Sequence, residues 1–190
     1  MTAQSRQARS HRVDDSERRA LLDAWFRAYG DRVLAYLLHR TDPETAHDLV
    51  QEVFVIAFRK AAAIPELPIG WLFGTARRLL ANRNRGRRRQ DQLVTRLAED
   101  AAQTADTDSA ELKRAFAETL AALPANDREV LTLNGWYGLT PGEAAAALGC
   151  SASAYGVRLH RARQRLAAHL DSAGYRGPNP AGQLSEALRG

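Results

Sequence analysis

Apolar residues recur at helical spacing along most of the chain, and no segment shows the strict alternation of a half-buried β-strand. One helix is predicted from Ser16 to about Tyr29, and Gly30 is expected to end it. A second helix is predicted over residues 31–40, with its apolar residues on one side. The pattern therefore predicts an all-α fold that begins with two short helices.

Two further helices of the N-terminal half are bounded by proline or glycine. Thr41 or Asp42 can cap a helix whose first residue is Pro43, because the first helical position does not use its backbone N–H. That helix is expected to end at the proline-containing residues 64–69, and another to begin near Gly70. The N-terminal half is therefore predicted to be a bundle of four helices.

The C-terminal half also divides into four predicted helices. The first ends at Pro124, and Asp127 is positioned to cap the second. The third starts in Thr140-Pro141-Gly142-Glu143, a capping box with proline at the first position, and Gly149 ends it. Ser151 then caps a long fourth helix. A short helix, a glycine turn and a longer helix make a helix-turn-helix, the motif that places its second helix in the DNA major groove.

Charge divides the chain into blocks that the net value of +5 conceals. Residues 77–96 hold eight arginines against one acidic residue, and residues 151–170 hold four arginines and no acid. Between them, residues 97–111 hold five acids and no base, a composition typical of a flexible linker. The predicted organisation is a basic tail, a helical domain, an acidic linker, a second helical domain and a flexible tail: residues 1–14, 15–96, 97–110, 111–172 and 173–190.

Composition also argues against several classes of protein. Cys150 is the single cysteine, which rules out an internal disulfide and a cysteine-based zinc finger, and we interpret it as a small packing residue. No segment comes close to the run of about 18 apolar residues that a membrane span requires. Residues 1–12 lack the apolar stretch of a secretory signal. Asp48 and Glu52 lie four residues apart, but no histidine-rich or glycine-rich phosphate loop accompanies them, which disfavours a metal-dependent nuclease. We expect an intracellular protein with no catalytic residue, metal or cofactor.

The two arginine-rich blocks are the candidate nucleic-acid surfaces, because the guanidinium fork suits phosphate. The first block follows an aromatic segment with Trp71 and Phe73, and unstacked bases are commonly held on aromatic faces. Trp71 also fits a plain core position. In the second block, His160 has no second ligand three or four residues away, so it is interpreted as surface or DNA-facing rather than metal-binding. The composition therefore favours a protein that binds nucleic acid at two places.

Four motifs along the chain occur in an informative order. They are Asp48-Leu49-Val50-Gln51-Glu52-Val53-Phe54, Trp71-Leu72-Phe73-Gly74-Thr75-Ala76-Arg77, Leu123-Pro124 with Arg128-Glu129-Val130-Leu131, and Arg158-Leu159-His160-Arg161-Ala162-Arg163. In order and spacing, over residues 20–170, they resemble the extracytoplasmic-function (ECF) sigma factors of bacterial RNA polymerase. The resemblance implies a sigma region 2-like bundle and a region 4-like helix-turn-helix in a cytoplasmic, non-catalytic specificity subunit of the polymerase.

The resemblance gives a function to residues that composition leaves open. An outer strip of the third helix, otherwise an ordinary solvated face, would dock on the β′ clamp helices of core polymerase: Asp48, Gln51, Glu52 and Val55. The fourth helix and the loop before it would recognise and melt the −10 element: Lys60, Leu67, Trp71, Phe73, Arg77, Arg78, Asn82, Arg83 and Arg85.

The second domain would bind the −35 element and, in core polymerase, the β flap. The residues implied in −35 binding lie in or beside the helix-turn-helix: Arg128, Thr140, Ser151, Ser153, Arg158, His160, Arg161 and Arg165. The acidic linker would thread through the polymerase toward the RNA exit path. The resemblance also implies an anti-sigma factor that holds the protein inactive by entering between the two domains.

The chain departs from the family pattern in three places. Ala76-Arg77-Arg78 stands where the family often has Ala-Arg-Asn, and Gly156-Val157 stands where it usually has a basic residue followed by serine. Glycine inside a helix costs about 1 kcal/mol relative to alanine, and here it also removes a side chain that could contact DNA. The helix over residues 144–148 is unusually rich in alanine. These departures concern individual base contacts rather than the fold.

A one-component helix-turn-helix regulator is the alternative interpretation. It would bind duplex operators without core polymerase, usually as a dimer. The block over residues 43–82 separates the two interpretations, because a simple repressor does not need it.

Overall fold

The computed structural model describes residues 15–65, 68–83 and 118–172. All regular secondary structure in these ranges is helical, which confirms the predicted all-α class. The predicted acidic linker and both predicted tails lie outside the described residues. The helices are α1 (Asp15–Leu38), α2 (Pro43–Lys60), α3 (Ile69–Arg83), α4 (Ala125–Gly135), α5 (Pro141–Leu148) and α6 (Ala152–Ser172), with a 3₁₀ turn at Ala61–Ala63 and a further helical stretch at residues 118–122.

The first helix, α1, is continuous, so the predicted break at Gly30 is wrong. Gly30 lies beside the ring of Phe26, whose nearest carbon is 3.5 Å from the place of an added β-carbon. A helical glycine costs about 1 kcal/mol relative to alanine. Full burial of one large side chain contributes about 1.5–3 kcal/mol, and α1 buries Trp25, Tyr36 and Leu37 on the two sides of the glycine. Packing therefore outweighs the local preference of glycine to end a helix.

The start of α2 confirms the predicted proline boundary and decides between the two candidate caps. Asp42 is the cap: its Oδ1 accepts a hydrogen bond from the backbone N–H of Thr45 at 2.9 Å. Hydrogen bonds from Thr45 lower the pKa of Asp42 to about 2. Pro43 is the first helical residue, as predicted. The inner side of α2 is apolar and buried: Ala46, Leu49, Val50, Val53, Phe54 and Ala57.

The start of α4 differs from the prediction. The helix begins at Ala125, with Pro124 in the capping position, so Asp127 is not the cap. Asp127 instead lies in the first turn, is almost fully buried, and its carboxylate accepts a hydrogen bond from Arg165 of α6. The helix dipole stabilises an acidic residue in the first turn of a helix as it does one at the cap. An aspartate near the start of a helix therefore fits either position when only the sequence is known.

The helix-turn-helix forms as predicted. Thr140 Oγ1 accepts from the backbone N–H of Glu143 at 3.3 Å, and Glu143 Oε2 accepts from the backbone N–H of Thr140 at 2.7 Å, which completes the capping box. Gly149 ends α5 with φ of 65°, a left-handed conformation that favours glycine. Ser151 Oγ accepts from the backbone N–H of Ala154 at 3.2 Å and so caps α6. Cys150, in the turn, is half-buried and packs against the apolar core.

One apolar core runs through both halves of the molecule, from α1 to α6. The halves meet where α3 packs against α5. Two glycines of α3 allow this approach, because a β-carbon added at Gly70 would lie 2.4 Å from the carbonyl oxygen of Glu143. At Gly74 the added carbon would lie 3.1 Å from the carbonyl oxygen of Ala147. We call this packing of α3 on α5 the closed arrangement.

Candidate nucleic-acid and polymerase interface

The outer strip of α2 is exposed along its whole length. The four predicted polymerase-binding residues all lie on it: Asp48, Gln51, Glu52 and Val55. Val55 exposes 49% of its surface although it is apolar. Arg83 from α3 lies 3.3 Å from the Asp48 carboxylate, but both side chains are about half exposed, and such pairs are worth about 0–1 kcal/mol. The strip therefore remains accessible to a partner in the closed arrangement.

The structure divides the predicted −10 residues into exposed and covered sets. The polar ones that it describes are exposed: Lys60, Arg77, Arg78, Asn82 and Arg83. Leu67 and Arg85 lie outside the described residues. Trp71 is half-buried and packs against the core. The basic end of α3 is therefore available to phosphate, but its aromatic segment is largely covered.

Phe73 corrects the expectation of an available aromatic surface. It is 1% exposed, and its ring centroid lies 5.1 Å from that of Tyr36 and 5.7 Å from that of Tyr137. Aromatic pairs at such distances are worth about 0.5–1.5 kcal/mol beyond their buried area. In the closed arrangement Phe73 therefore fills the junction between the two halves and has no access to a DNA base.

The predicted −35 residues lie on the outside of the helix-turn-helix, with one exception. The exposed ones are Thr140, Ser151, Ser153, Arg158, His160, Arg161 and Arg165. Arg128 is the exception, because it is 9% exposed and its guanidinium donates to the backbone carbonyl of Ala121 at 2.6 Å. As placed here, Arg128 joins α4 to the preceding helical stretch through a protein carbonyl, and its part in −35 binding stays a prediction.

A polar cluster buried at the junction of the halves was not predicted from the sequence. Arg40, at the end of α1, donates to Glu129 Oε2 at 2.9 Å, and the Tyr36 hydroxyl donates to Glu129 Oε1 at 2.8 Å. Arg40 also donates to the hydroxyl oxygen of Tyr137 at 2.7 Å. His39 Nδ1 lies 2.9 Å from the same hydroxyl. The cluster therefore links α1 to α4 and to the turn that follows it.

The charges of this cluster stabilise each other. Burial alone would raise the pKa of Glu129, but attraction to Arg40 and hydrogen bonds from Arg40 and Tyr36 leave it below its ordinary value. Burial would lower the pKa of Arg40, and the attraction of Glu129 raises it overall. Burial and the negative charge of Glu129 raise the pKa of Tyr36. The pair is therefore fully ionised near neutral pH, with Tyr36 neutral and donating.

A polar pocket of about 350 Å³ opens beside this cluster. It lies between Arg77 of α3 and the arginines of α6, with two carboxylates in its wall. Among the described residues, no group of three or more His, Cys, Asp or Glu side chains is placed to hold a metal ion. None of the helices in these ranges combines the length and the apolar composition of a membrane span.

The family models of sigma-70 region 2 and sigma-70 region 4 match this chain. The region 2 model covers residues 25–90, and the region 4 model covers residues 113–166. The first match contains α2 and α3, and the second contains α4, α5 and most of α6.

Curated relatives match across both halves. The ECF RNA polymerase sigma factor SigM of Bacillus subtilis is 31% identical over 153 residues, covering 77% of this chain and 93% of SigM. The RNA polymerase sigma factor CnrH of Cupriavidus metallidurans is 33% identical over 145 residues, covering 68% of this chain and 76% of CnrH. The structure of CnrH in complex with the cytosolic domain of CnrY aligns with a TM-score of 0.55 at 26% identity, covering 83% of this chain and 92% of that one.

Proposed function

The chain belongs to the extracytoplasmic-function family of RNA polymerase sigma factors, and we propose that its two halves divide promoter recognition between them. The first domain, residues 15–96, binds core polymerase and the −10 element, and the second, residues 111–172, binds the −35 element. These boundaries enclose the two family-model matches, residues 25–90 and 113–166. The chain itself makes no covalent bond. Nucleotidyl transfer belongs to the polymerase, in the cytoplasm.

The observation that carries this proposal is the exposed arginine surface of α6 directly after the Gly149 turn. Arg158, Arg161 and Arg165 are exposed, and no acidic residue interrupts the helix between its start and Leu170. A helix of this kind after a tight turn is the element that enters the major groove in helix-turn-helix proteins. Arginines neutralise phosphate, so binding should weaken as salt rises.

The polymerase-binding part of the proposal is supported by the outer strip of α2. Asp48 and Glu52 add two exposed carboxylates, Gln51 adds an amide, and Val55 adds an apolar contact. This combination suits a basic surface with some apolar area. The strip is also accessible in the closed arrangement, so polymerase can dock on it before any rearrangement.

The −10 part rests on the exposed basic end of α3. Unstacking a base from duplex DNA costs a few kcal/mol, and stacking it on an aromatic ring returns about 1–3 kcal/mol. Exposed Arg77, Arg78 and Arg83 add phosphate contacts to the opened strand. The net free energy of unstacking a base and stacking it on the protein is close to zero. Promoter opening should therefore depend on a good match between the bases and the protein surface that receives them.

Run-off transcription with core polymerase tests the proposal. The chain should give transcripts from its matched promoters, which are found by sequencing the promoters that it binds with the polymerase. Core polymerase alone should not. Replacing Asp48 and Glu52 by alanine should reduce both the transcripts and the capture of core polymerase by the tagged chain.

A charge-matched control separates a docking surface from a general effect of charge. Asp31 in α1 and Asp171 in α6 are exposed and lie outside the strip. Replacing both by alanine removes the same two charges and should leave polymerase capture unchanged. Capture that is equal in both double variants would contradict the assigned strip. Binding to operators without polymerase, with no polymerase capture by the native chain, would support the one-component regulator instead.

The relation to CnrH supports a protein inhibitor as a second partner. CnrH has been solved in complex with the cytosolic domain of CnrY, and we propose that this chain is held by an anti-sigma factor in the same general way. Affinity purification of the chain from its native cells should yield such a protein. Added back to the run-off assay, it should abolish initiation.

A further inference from the structure

The outward side of α6 carries an apolar residue that does not pack in the fold. Val157 exposes 51% of its surface, and no other large apolar side chain in residues 118–172 is as exposed. The other exposed residues of α6 are mostly polar or charged. Single exposed apolar residues are common on protein surfaces, so what matters is where this one lies.

Val157 lies on the side of α6 that faces directly away from the core. An α-helix turns by about 100° per residue. Around the helix axis, the buried residues nearest to Val157 are therefore about 140–200° away from it: Tyr155, Leu159, Ala162 and Leu166. The side chain of Val157 thus points into the space that a partner of this helix would occupy.

Val157 also lies in the part of the helix that is placed to contact bases. It is in the second turn of α6, which begins at Ala152. In helix-turn-helix proteins, the N-terminal residues of the second helix contact base edges in the major groove. The residues one turn away on the same side are polar and exposed: Ser153, His160 and Arg161. Val157 is therefore an apolar residue in the middle of a polar surface that faces the groove.

Nothing in the described part of the chain explains the pair Gly156-Val157. A β-carbon added at Gly156 meets nothing within 4 Å, so no neighbouring element requires glycine there. Glycine and valine both form helices less readily than alanine or arginine. The pair therefore weakens the helix locally without a gain in packing, which points to a contact made by the outer surface of α6.

The chemistry of valine limits what this contact reads. Valine has neither a hydrogen-bond donor nor an acceptor, and the apolar group that base pairs present in the major groove is the C5 methyl of thymine. A branched side chain holds nearly one rotamer in a helix, so Val157 presents its methyl groups at a fixed position. We propose that Val157 contacts a thymine methyl group in the −35 element, so that this chain prefers a T·A pair at that position. This inference rests on the proposed function and names part of its specificity.

Replacing thymine by deoxyuridine tests the proposal, because it removes the methyl group and keeps every hydrogen-bonding group of the base. The −35 element is taken from the promoters that the chain binds with core polymerase, and its thymines on either strand are replaced one at a time. Titration of the labelled promoter with the polymerase complex measures affinity. At one position, binding should weaken about fourfold, or about 0.8 kcal/mol, the value of burying about one CH₂ group. The same replacement between the −35 and −10 elements should have no effect.

Val157→Ala assigns the effect to this residue. The variant lacks the two γ-methyl groups, so its complex should bind the thymine promoter about fourfold more weakly and should no longer distinguish thymine from deoxyuridine. Alanine favours a helix over valine, so α6 itself is not weakened. Leu21→Ala is the matched control, because Leu21 is an apolar residue of α1 that is 38% exposed and lies outside the assigned binding surfaces. Its complex should keep the full fourfold difference.

Three results would overturn the proposal. They are a −35 element without an A·T pair, deoxyuridine without effect at every −35 thymine, and a deoxyuridine effect that is equal in the native chain and in Val157→Ala. In each case, normal run-off transcription by the native chain would leave the proposed function standing. A native complex that neither binds nor transcribes from any promoter would overturn the proposed function itself.

Discussion

Two helices of the first domain, α2 and α3, are both assigned to binding, but the structure treats them differently. The polymerase strip of α2 lies open, with Val55 49% exposed. The aromatic segment of α3 is largely covered at the junction of the halves, with Phe73 1% exposed and its ring packed against Tyr36 and Tyr137. Under the proposed function, this difference predicts an order of events, because a partner can reach α2 at once but can reach the covered part of α3 only after the two halves separate. We therefore expect contact with α2 before contact with the covered part of α3.

Breaking the buried ion pair between Arg40 and Glu129 should have the largest effect, because this pair helps to hold the two halves together over α3. Glu129→Ala leaves Arg40 uncompensated, and breaking a buried pair costs about 3–5 kcal/mol. The closed arrangement should lose about that much stability relative to two separated halves, so calorimetry should resolve separate unfolding transitions for the two domains. The exposed pair Arg83–Asp48 is the matched control, and Asp48→Ala should change stability by less than about 1 kcal/mol.

The double variant makes this prediction sharper. Replacing Arg40 and Glu129 together removes both charges, so no unpaired ion remains in the interface. The combined loss should then be clearly smaller than the sum of the two single losses, with a coupling of up to about 3 kcal/mol. Strictly additive effects would mean that the two side chains do not interact in solution.

Acid should have the next largest effect, by weakening the buried ion pair at the junction of the two halves. The pKa of Glu129 is lowered in the closed state, so its ion pair stabilises closure above the ordinary value of 4.5 and loses that effect as pH falls through the lowered value. The ionisable groups around it are arginines, tyrosines, one histidine and one salt-bridged carboxylate: Arg40, Arg77, Arg158, Arg161, Arg165, Tyr36, Tyr137, Tyr155, His39 and Asp127. Energy transfer between dyes attached to cysteines introduced at the exposed positions Glu44 and Ala168, in a Cys150→Ser background, should fall as pH is lowered from 5. Glu129→Gln should flatten this response. Equal acid responses in both proteins would assign the opening to another group.

The exposed strip of α2 can be tested through its apolar residue, Val55. Val55→Arg puts a charge at an exposed position of the strip, so the fold should keep its stability within about 0.5 kcal/mol. If polymerase covers this residue, the charge loses water on docking, and affinity for core polymerase should fall about tenfold, or about 1.4 kcal/mol. Binding assays with the labelled chain measure both quantities. Unchanged affinity would place the contact elsewhere on α2.

Local features could be predicted from the sequence, and distant contacts could not. The caps at Thr140 and Ser151 and the turn at Gly149 depend on residues within four positions, and the structure confirms all three. The break at Gly30 was predicted from local preference and is wrong, because packing of α1 depends on other helices.

The exposed parts of the candidate site followed from the resemblance to a family, and the junction did not. Nothing near Arg40 in the sequence indicates that it pairs with Glu129. The sequence around Phe73 is equally consistent with a ring that contacts a DNA base and with a ring buried between the two halves. Arg128 belongs to a motif of the family, but its burial depends on the carbonyl of Ala121. Such positions are decided by which surfaces meet, and pattern alone does not contain that information.

The smallest predicted effect comes from comparing the same substitution, glycine to alanine, at a buried and at an exposed position. Gly156 of α6 is exposed, and a β-carbon added there meets nothing within 4 Å, whereas at Gly70 it meets backbone at 2.4 Å. Gly156→Ala should therefore stabilise the chain by about 0.5–1 kcal/mol, with a rise in Tm of about 1–4 °C, whereas Gly70→Ala should destabilise the packing of α3 on α5. Promoter affinity of the polymerase complex should not change, since a methyl group adds no contact with DNA. A gain in stability with a loss of −35 binding would instead show that α6 needs glycine there for the DNA backbone to approach closely.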